Sequence, residues 1–227
     1  MKGFLVSVLL VSCAFCLDQT ATAPEEVKPV LNIFVDRAGF LKDFNYAYVE
    51  FLQIRNLNSR WSVIAPDIGL LVFHNLNDYQ ELFVGVAIEF RATKSLTIDH
   101  EVYFTQTTGP DSRHKAYYQP WTRVEYKFPK SLVLESVAFP YIPLNGGTIQ
   151  FVMERTKLEY TGFKRFNFGG GFGAYQDFTF TNFQSKPFAT VTLKTHDYGN
   201  FEIWVQAVPH DGVQIQYRHT LVWHSRH

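Results

Sequence analysis

The sequence predicts an all-β protein whose strands close into an antiparallel up-and-down transmembrane β-barrel of about 12 strands, with a range of 10 to 12. Three observations predict this fold: strict apolar/polar alternation in two distant segments, almost no helical i, i+3, i+4, i+7 spacing, and abundant β-branched and aromatic residues. The alternation is clearest in 81–91 and 213–223. Because successive strand side chains point to opposite faces, each segment has one apolar face and one polar or charged face.

The strands follow one another along the chain without a helix between them. They are expected at about 30–36, 44–56, 60–74, 79–92, 95–107, 113–128, 130–142, 147–160, 163–177, 187–197, 199–208 and 211–223. The connections alternate between very short turns and mostly longer loops, the longest spanning 178–186. Outer-membrane barrels have short periplasmic turns and longer external loops, so this alternation and an even strand number place both termini in the periplasm.

The N-terminus resembles a secretory signal peptide. Lys2 is followed by an apolar run and by small residues ending at Ala23, which predicts a signal peptide over 1–23. An alternative is left open, because residues 10–13 resemble a lipoprotein box in which Cys13 becomes the lipidated first residue. The remaining chain divides into a periplasmic lead with a weak first strand, the barrel and a short C-terminal tail, at 24–43, 44–223 and 224–227.

Composition excludes several classes of protein. The 21 basic and 21 acidic residues balance, so the electrostatic footprint of a nucleic-acid-binding protein is missing. After the N-terminal segment no apolar run reaches the roughly 20 residues of a transmembrane helix. Both cysteines, Cys13 and Cys16, precede the predicted cleavage site, so disulfides do not hold the fold. A chain without thiols suits passage through an oxidising periplasm and favours a Gram-negative bacterial envelope protein.

Charged residues collect on the face opposite the apolar one. Arg or Lys facing lipid near the midplane costs about 2–4 kcal/mol, so these side chains are expected in the lumen or near the interfaces. The predicted lumen residues are Glu81, Glu89, Arg91, Asp99, Glu101, Arg123, Glu125, Lys127, Arg155, Lys157, Glu202 and Arg218.

Two interpretations of these charges are open. In the structural one, acidic and basic rows pair across a narrow interior. In the functional one, opposed charges create a transverse field that orients a polar solute. The anion contacts would then be Arg91, Arg123, Lys127, Arg155 and Arg218.

A few features interrupt the regular pattern. Glu154 falls on the apolar face of its strand, and Pro66 and Pro120 each remove a ladder donor, which indicates a bulge or register shift at each. Residues 168–173 contain four glycines, and glycine in a strand usually marks a close approach or a bend. A ligand groove at the inward glycines is the alternative.

Two other functional classes are compatible with the sequence. An outer-membrane enzyme for lipid or peptide hydrolysis or acyl transfer needs a Ser-His or Asp-His grouping, and the candidate groupings occur around His100, His114 and His196. A soluble secreted lipocalin-like protein would hold an apolar ligand, with its apolar faces inside. Metal ligation by His210, His224 and His227 has no supporting spacing, so neither a metal nor another cofactor is predicted.

The last strand carries a resemblance. Tyr217, Leu221 and Trp223 share one face near the C-terminus, and this resembles the C-terminal strand of bacterial outer-membrane proteins. Small twelve-stranded porins for acidic oligosaccharides are also similar in length, signal and lack of cysteine. The resemblance, at the level of the class, implies an outer-membrane barrel in contact with outer-membrane lipid. It implies a passive channel for small polar or anionic solutes, or a structural barrel.

Overall fold

The computed structural model describes residues 30–41, 44–74, 80–108, 115–177, 183–195, 199–209 and 212–225. The predicted signal peptide and Cys13 lie outside these residues. Twelve strands make up the fold: β1 (Val30–Leu41), β2 (Phe44–Asn56), β3 (Trp61–His74), β4 (Gln80–Arg91), β5 (Leu96–Thr108), β6 (Ala116–Phe128), β7 (Leu132–Pro143), β8 (Gln150–Tyr160), β9 (Phe166–Asp177), β10 (Phe183–Lys194), β11 (Asn200–Val208) and β12 (Gly212–Ser225).

Each strand pairs antiparallel with the next one in sequence, and β1 pairs with β12 to close the barrel. The predicted fold class is confirmed. The weak first strand is a full member of the wall, because β1 is hydrogen-bonded to a neighbour along both edges. In the part of the chain that the structure describes, no helix has the length and apolarity to cross a membrane.

Some strands are longer than the sequence suggested. Strand β1 continues to Leu41, and β10 begins at Phe183, so the connection expected over 178–186 is reduced to 178–182. Polar residues and Pro187 hide the start of β10 from a pattern search, although they pair in register with β9. The two ends of the barrel are called here the turn end, where β1 begins and β12 ends, and the loop end, where β1 ends and β2 begins.

The apolar faces form the exterior of the barrel. Strand β4 lies between β3 and β5. Its residues Leu82 and Val84 are 50% and 48% exposed, whereas Glu81 on the same strand is only 4% exposed. On β12, Ile215 is 52% exposed and Gln216 is 4% exposed. An apolar exterior around a polar interior is what a bilayer requires of a barrel. The lipocalin-like alternative required the reverse orientation and is not favoured.

A polar group interrupts this exterior at the seam between β1 and β12. Asp36 is opposite His219 in the register, and the Tyr217 hydroxyl donates to Asp36 at 3.1 Å. The His219 ring stacks on Phe201 at 4.0 Å. Through these contacts the polar side chains on the outer face lie against other side chains of the protein, at the point where His219 interrupts the apolar row of β12.

Register shifts occur at the irregular positions of the sequence. The pairing of β3 with β4 shifts between Ile64 and Asp67, which brackets Pro66. The pairing of β8 with β9 shifts between Met153 and Thr156, which brackets Glu154. The bulge interpretation is therefore correct at both places, and at each a carboxylate lies in the interior. It is wrong at Pro120, where β6 stays in register with β5 and pairs with β7 in the same register before and after the proline.

Candidate channel lumen

The barrel interior contains two cavities. The larger, about 440 Å³, lies toward the loop end, and the smaller, about 230 Å³, lies toward the turn end. Arg123 and Arg218 line both cavities and therefore stand at the boundary between them. The two cavities follow the barrel axis, so a solute path along this axis passes these two guanidinium groups.

Eight of the twelve predicted lumen residues line the two cavities, including Arg123 and Arg218. Glu81 and Glu101 line the larger cavity and Arg155 joins them there. Glu125, Lys157 and Glu202 line the smaller one. Among the other four, Asp99 is paired with Arg123, Lys127 with Glu125, and Glu89 with Arg91 close to the turn end.

Carboxylates dominate the side of the lumen formed by β2–β5. We call Glu50, Asp67, Glu81 and Glu101 the acidic wall; three of them line the larger cavity and Asp67 is buried beside them. The Tyr103 hydroxyl oxygen lies 2.6 Å from Asp67 Oδ2 and 2.8 Å from Glu101 Oε2, so one hydroxyl bridges two carboxyl groups.

Amide and phenol donors hold the remaining part of this wall. Glu81 Oε1 accepts hydrogen bonds from Gln119 Nε2 at 2.9 Å and from the Tyr141 hydroxyl at 3.3 Å. The donors come from β6 and β7, which lie beyond the strand next to β4. The wall is therefore tied together by side chains that reach over neighbouring strands.

Stacked aromatic rings support the acidic wall from within the lumen. Phe83 and Tyr103 meet edge to face at 5.4 Å, and Tyr103 meets Trp121 in the same way at 5.4 Å. Trp121 and Phe139 stack at 3.8 Å with an angle of 5° between their planes. This ring series fills part of the interior with apolar atoms and fixes the position of Tyr103.

Ion pairs dominate the opposite side of the lumen. Arg155 donates to both oxygens of Glu135 at 2.9 Å, a bidentate arrangement, and to Glu154 at 2.5 Å. Arg123 also donates to Glu135 at 2.9 Å. Toward the turn end, Lys157 donates to Glu202 at 2.7 Å. We call Arg155, Glu135, Glu154, Lys157 and Glu202 the ion-pair wall.

Arg218 differs from the other arginines. It pairs in register with Arg37 on one side and with Glu202 on the other. Its Nε is buried and has no hydrogen-bond partner in the structure. Arg218 also lines both cavities, so its positive charge lies where they meet.

Sequence reasoning missed several lumen residues. Glu50 was overlooked because its inner-face neighbours Tyr48 and Leu52 are apolar or aromatic, which conceals the alternation. Arg37 lies just beyond the predicted end of the first strand. Tyr46, Phe73 and Tyr141 line the larger cavity too, together with Lys186 and Glu154.

The candidate residues for catalysis and metal binding form no site among the described residues. Asp99 faces Arg123 inside the barrel, whereas His100 is exposed and contacts Thr122 at 3.4 Å. Among the described residues no group of three His, Cys, Asp or Glu is arranged to hold a metal ion. The groupings at His114 and His196, and also His210 and His227, lie outside the described residues.

No protein-family model and no curated protein matches the chain. Solved structures do match it. An outer-membrane channel from Pseudomonas putida F1 is 8% identical with a TM-score of 0.65, over 91% of this chain and 100% of that one. The KdgM porin in complex with disordered oligogalacturonate is 14% identical with a TM-score of 0.57, over 86% and 99%. The NanC porin is 9% identical with a TM-score of 0.57, over 85% and 100%.

At such identities the similarity concerns the fold. The closed twelve-strand barrel, its apolar exterior and its charged interior define a porin-like transmembrane β-barrel. The class-level resemblance inferred from the last strand is confirmed by these structures.

Proposed function

We propose that this protein is a passive channel of the bacterial outer membrane for small polar solutes. The observation that carries the proposal is a pair of cavities lined by acidic and basic side chains along the axis of a barrel whose exterior is apolar. The polar interior of an outer-membrane barrel is a water-filled channel in porins. Delivery to that membrane requires export, which agrees with a signal peptide over residues 1–23 and a processed chain inserted in outer-membrane lipid.

The distribution of charge supports a role in orienting the solute. The acidic wall faces arginines across the larger cavity, so a solute there experiences opposite charges on its two sides. Charged side chains that line a pore select by the sign and placement of charge on the solute. We infer that Arg218 contacts the anionic group of a solute, because its side chain lines both cavities at the point where they meet. The KdgM porin complexed with oligogalacturonate supports an anionic solute here by analogy of fold.

Planar lipid bilayers test the channel directly. Folded protein, recognised by its altered gel mobility before and after heating, is expected to give stepwise conductance at constant voltage. Absence of steps from protein verified as folded would contradict the channel function. Reversal potentials measured across a salt gradient then report which ion permeates more easily.

The Arg218→Gln variant tests the proposed anion contact. Loss of this lumen charge is expected to shift the reversal potential toward cation preference. Lys164→Gln is the matched control, because Lys164 is exposed in the connection between β8 and β9 and also loses one positive charge. An equal shift in both variants would show that Arg218 has no special place in the pore.

A further inference from the structure

One ion pair joins strands that are not neighbours. Arg37 on β1 donates from Nη1 to Glu154 Oε1 on β8. Strands β9–β12 separate β1 from β8 on one side of the barrel and β2–β7 on the other. The pair therefore crosses the lumen instead of following the wall, and both side chains line the larger cavity.

The backbone of β8 is shaped to bring Glu154 into the lumen. The register shift between Met153 and Thr156 lets the consecutive residues Glu154 and Arg155 both line the cavity, which a regular strand forbids. Glycines of β9 make room for this bulge. A Cβ on Gly173 would lie 2.8 Å from the Glu154 carbonyl oxygen, and one on Gly171 would lie 1.9 Å from the Thr156 carbonyl oxygen.

The other end of the pair is equally well positioned. Arg37 donates from Nε and Nη2 to Gln216 Oε1 at 3.2 and 2.7 Å. The Tyr46 hydroxyl donates to the same oxygen at 2.6 Å, and Gln216 Nε2 donates to Gln206 at 2.7 Å. The guanidinium also lies 5.2 Å from the centre of the Trp204 ring. These contacts direct Arg37 across the lumen toward Glu154.

The contacts form a chain of alternating charge across the interior. It runs from Arg37 to Glu154, from Glu154 to Arg155 and from Arg155 to Glu135. Both side chains of the crossing pair are less than one-fifth exposed, at 19% for Arg37 and 18% for Glu154. A solute that moves along the barrel axis has to pass beside this pair.

We propose that Arg37 and Glu154 form the constriction of the channel and set the size of the solute that passes. The proposal rests on the channel function proposed above and adds to it the residues that limit the pore. Deleting either side chain opens the crossing, and each partner left behind keeps other contacts. Without Arg37, Glu154 still accepts from Arg155, and without Glu154, Arg37 still donates to Gln216.

The test compares single-channel conductance and the exclusion of polyethylene glycols of graded size. The variants are Arg37→Ala, Glu154→Ala and the double variant, with Glu154→Gln as a milder change. Each single truncation is expected to raise conductance several-fold and to admit larger polymers, and the double variant is expected to add little. Glu159→Ala is the matched control, since Glu159 is on the same strand and pairs along it with Lys157 at 3.4 Å.

The outcomes separate this proposal from the channel function itself. Wild-type conductance with no increase in either truncation variant overturns the constriction and leaves the channel in place. An equal increase in the Glu159 control also overturns it, because any lost carboxylate would then act alike. Folded protein that conducts in no variant overturns the channel function. A silent wild type with conducting truncation variants overturns both proposals, because the pair would then close the barrel instead of limiting a pore.

Discussion

The two walls of the lumen hold their charges in different ways. On the acidic wall, Asp67 and Glu101 share the Tyr103 hydroxyl, and Glu81 accepts from an amide and a phenol. On the ion-pair wall, each carboxylate meets a cation at hydrogen-bond distance, as Glu135 meets Arg155. Neutral donors stabilise a carboxylate without cancelling its charge, whereas ion pairs cancel most of it.

This difference indicates how a nearly balanced set of charges can still act on a solute. The sequence has 21 basic and 21 acidic residues, so the net charge alone predicts no field. The electric field of an ion pair falls off within a short distance. The field of a carboxylate that accepts hydrogen bonds from neutral donors extends further into the cavity. The ion-pair wall therefore contributes less to the field of the lumen than its number of charges suggests.

The largest effect is expected where an ion pair is broken inside the ion-pair wall. Arg155→Met removes the charge and keeps much of the volume, leaving Glu135 and Glu154 with fewer donors. Because Arg155 is 6% exposed, the loss should lower the free energy of unfolding by about 3–5 kcal/mol. Urea unfolding in lipid vesicles, followed by tryptophan fluorescence, measures this change.

The control for that variant is an ion pair that water reaches. Lys127 pairs with Glu125 near the turn end and is 58% exposed. Lys127→Met is expected to change stability by less than about 1 kcal/mol, as for exposed pairs in general. Similar losses in the two variants would contradict the view that burial makes the Arg155 contacts important.

The fold could be predicted from the sequence because a membrane barrel shows its period on one face. Leu82 and Val84 have to face lipid, so the sequence of β4 shows a clear two-residue alternation of apolar and polar side chains. Both the strand number and the closing role of the first strand followed from this repeat and from the even-number rule. The strand limits were less exact where polar residues continue a strand, as at the start of β10.

The lumen was harder to predict because its inner face mixes apolar, aromatic and charged side chains. Tyr103 and Phe139 are buried inside the barrel, although their residue types suggest the outer face. The crossing pair depends on a bulge that brings Glu154 inward and on the closure that places β1 opposite β8. Such contacts join distant positions, so no local pattern contains them. The only local signal in the sequence was Glu154, a carboxylate on the apolar face of its strand.

A smaller effect is expected on the acidic wall. Tyr103→Phe removes the hydroxyl that bridges Asp67 and Glu101 while keeping the ring in its stack. Leaving buried acceptors without their donor costs about 1–3 kcal/mol in unfolding free energy. The same urea experiment measures it, with Tyr126→Phe on the outer face as control, since Tyr126 is 37% exposed. A Tyr103 variant as stable as wild type would mean that the carboxyl groups do not need this hydroxyl.

The smallest effect concerns the rings that position Tyr103. Trp121 and Phe139 stack face to face at 3.8 Å, and an aromatic pair contributes about 0.5–1.5 kcal/mol beyond its buried area. A double-mutant cycle with Trp121→Leu and Phe139→Leu should therefore give a coupling energy of that size in urea unfolding. Coupling near zero would mean that the rings only fill space. A coupling as large as the loss in Tyr103→Phe would instead indicate that the acidic wall is held as much by its aromatic support as by its hydrogen bonds. The two walls would then differ in their packing as well as in their electrostatics.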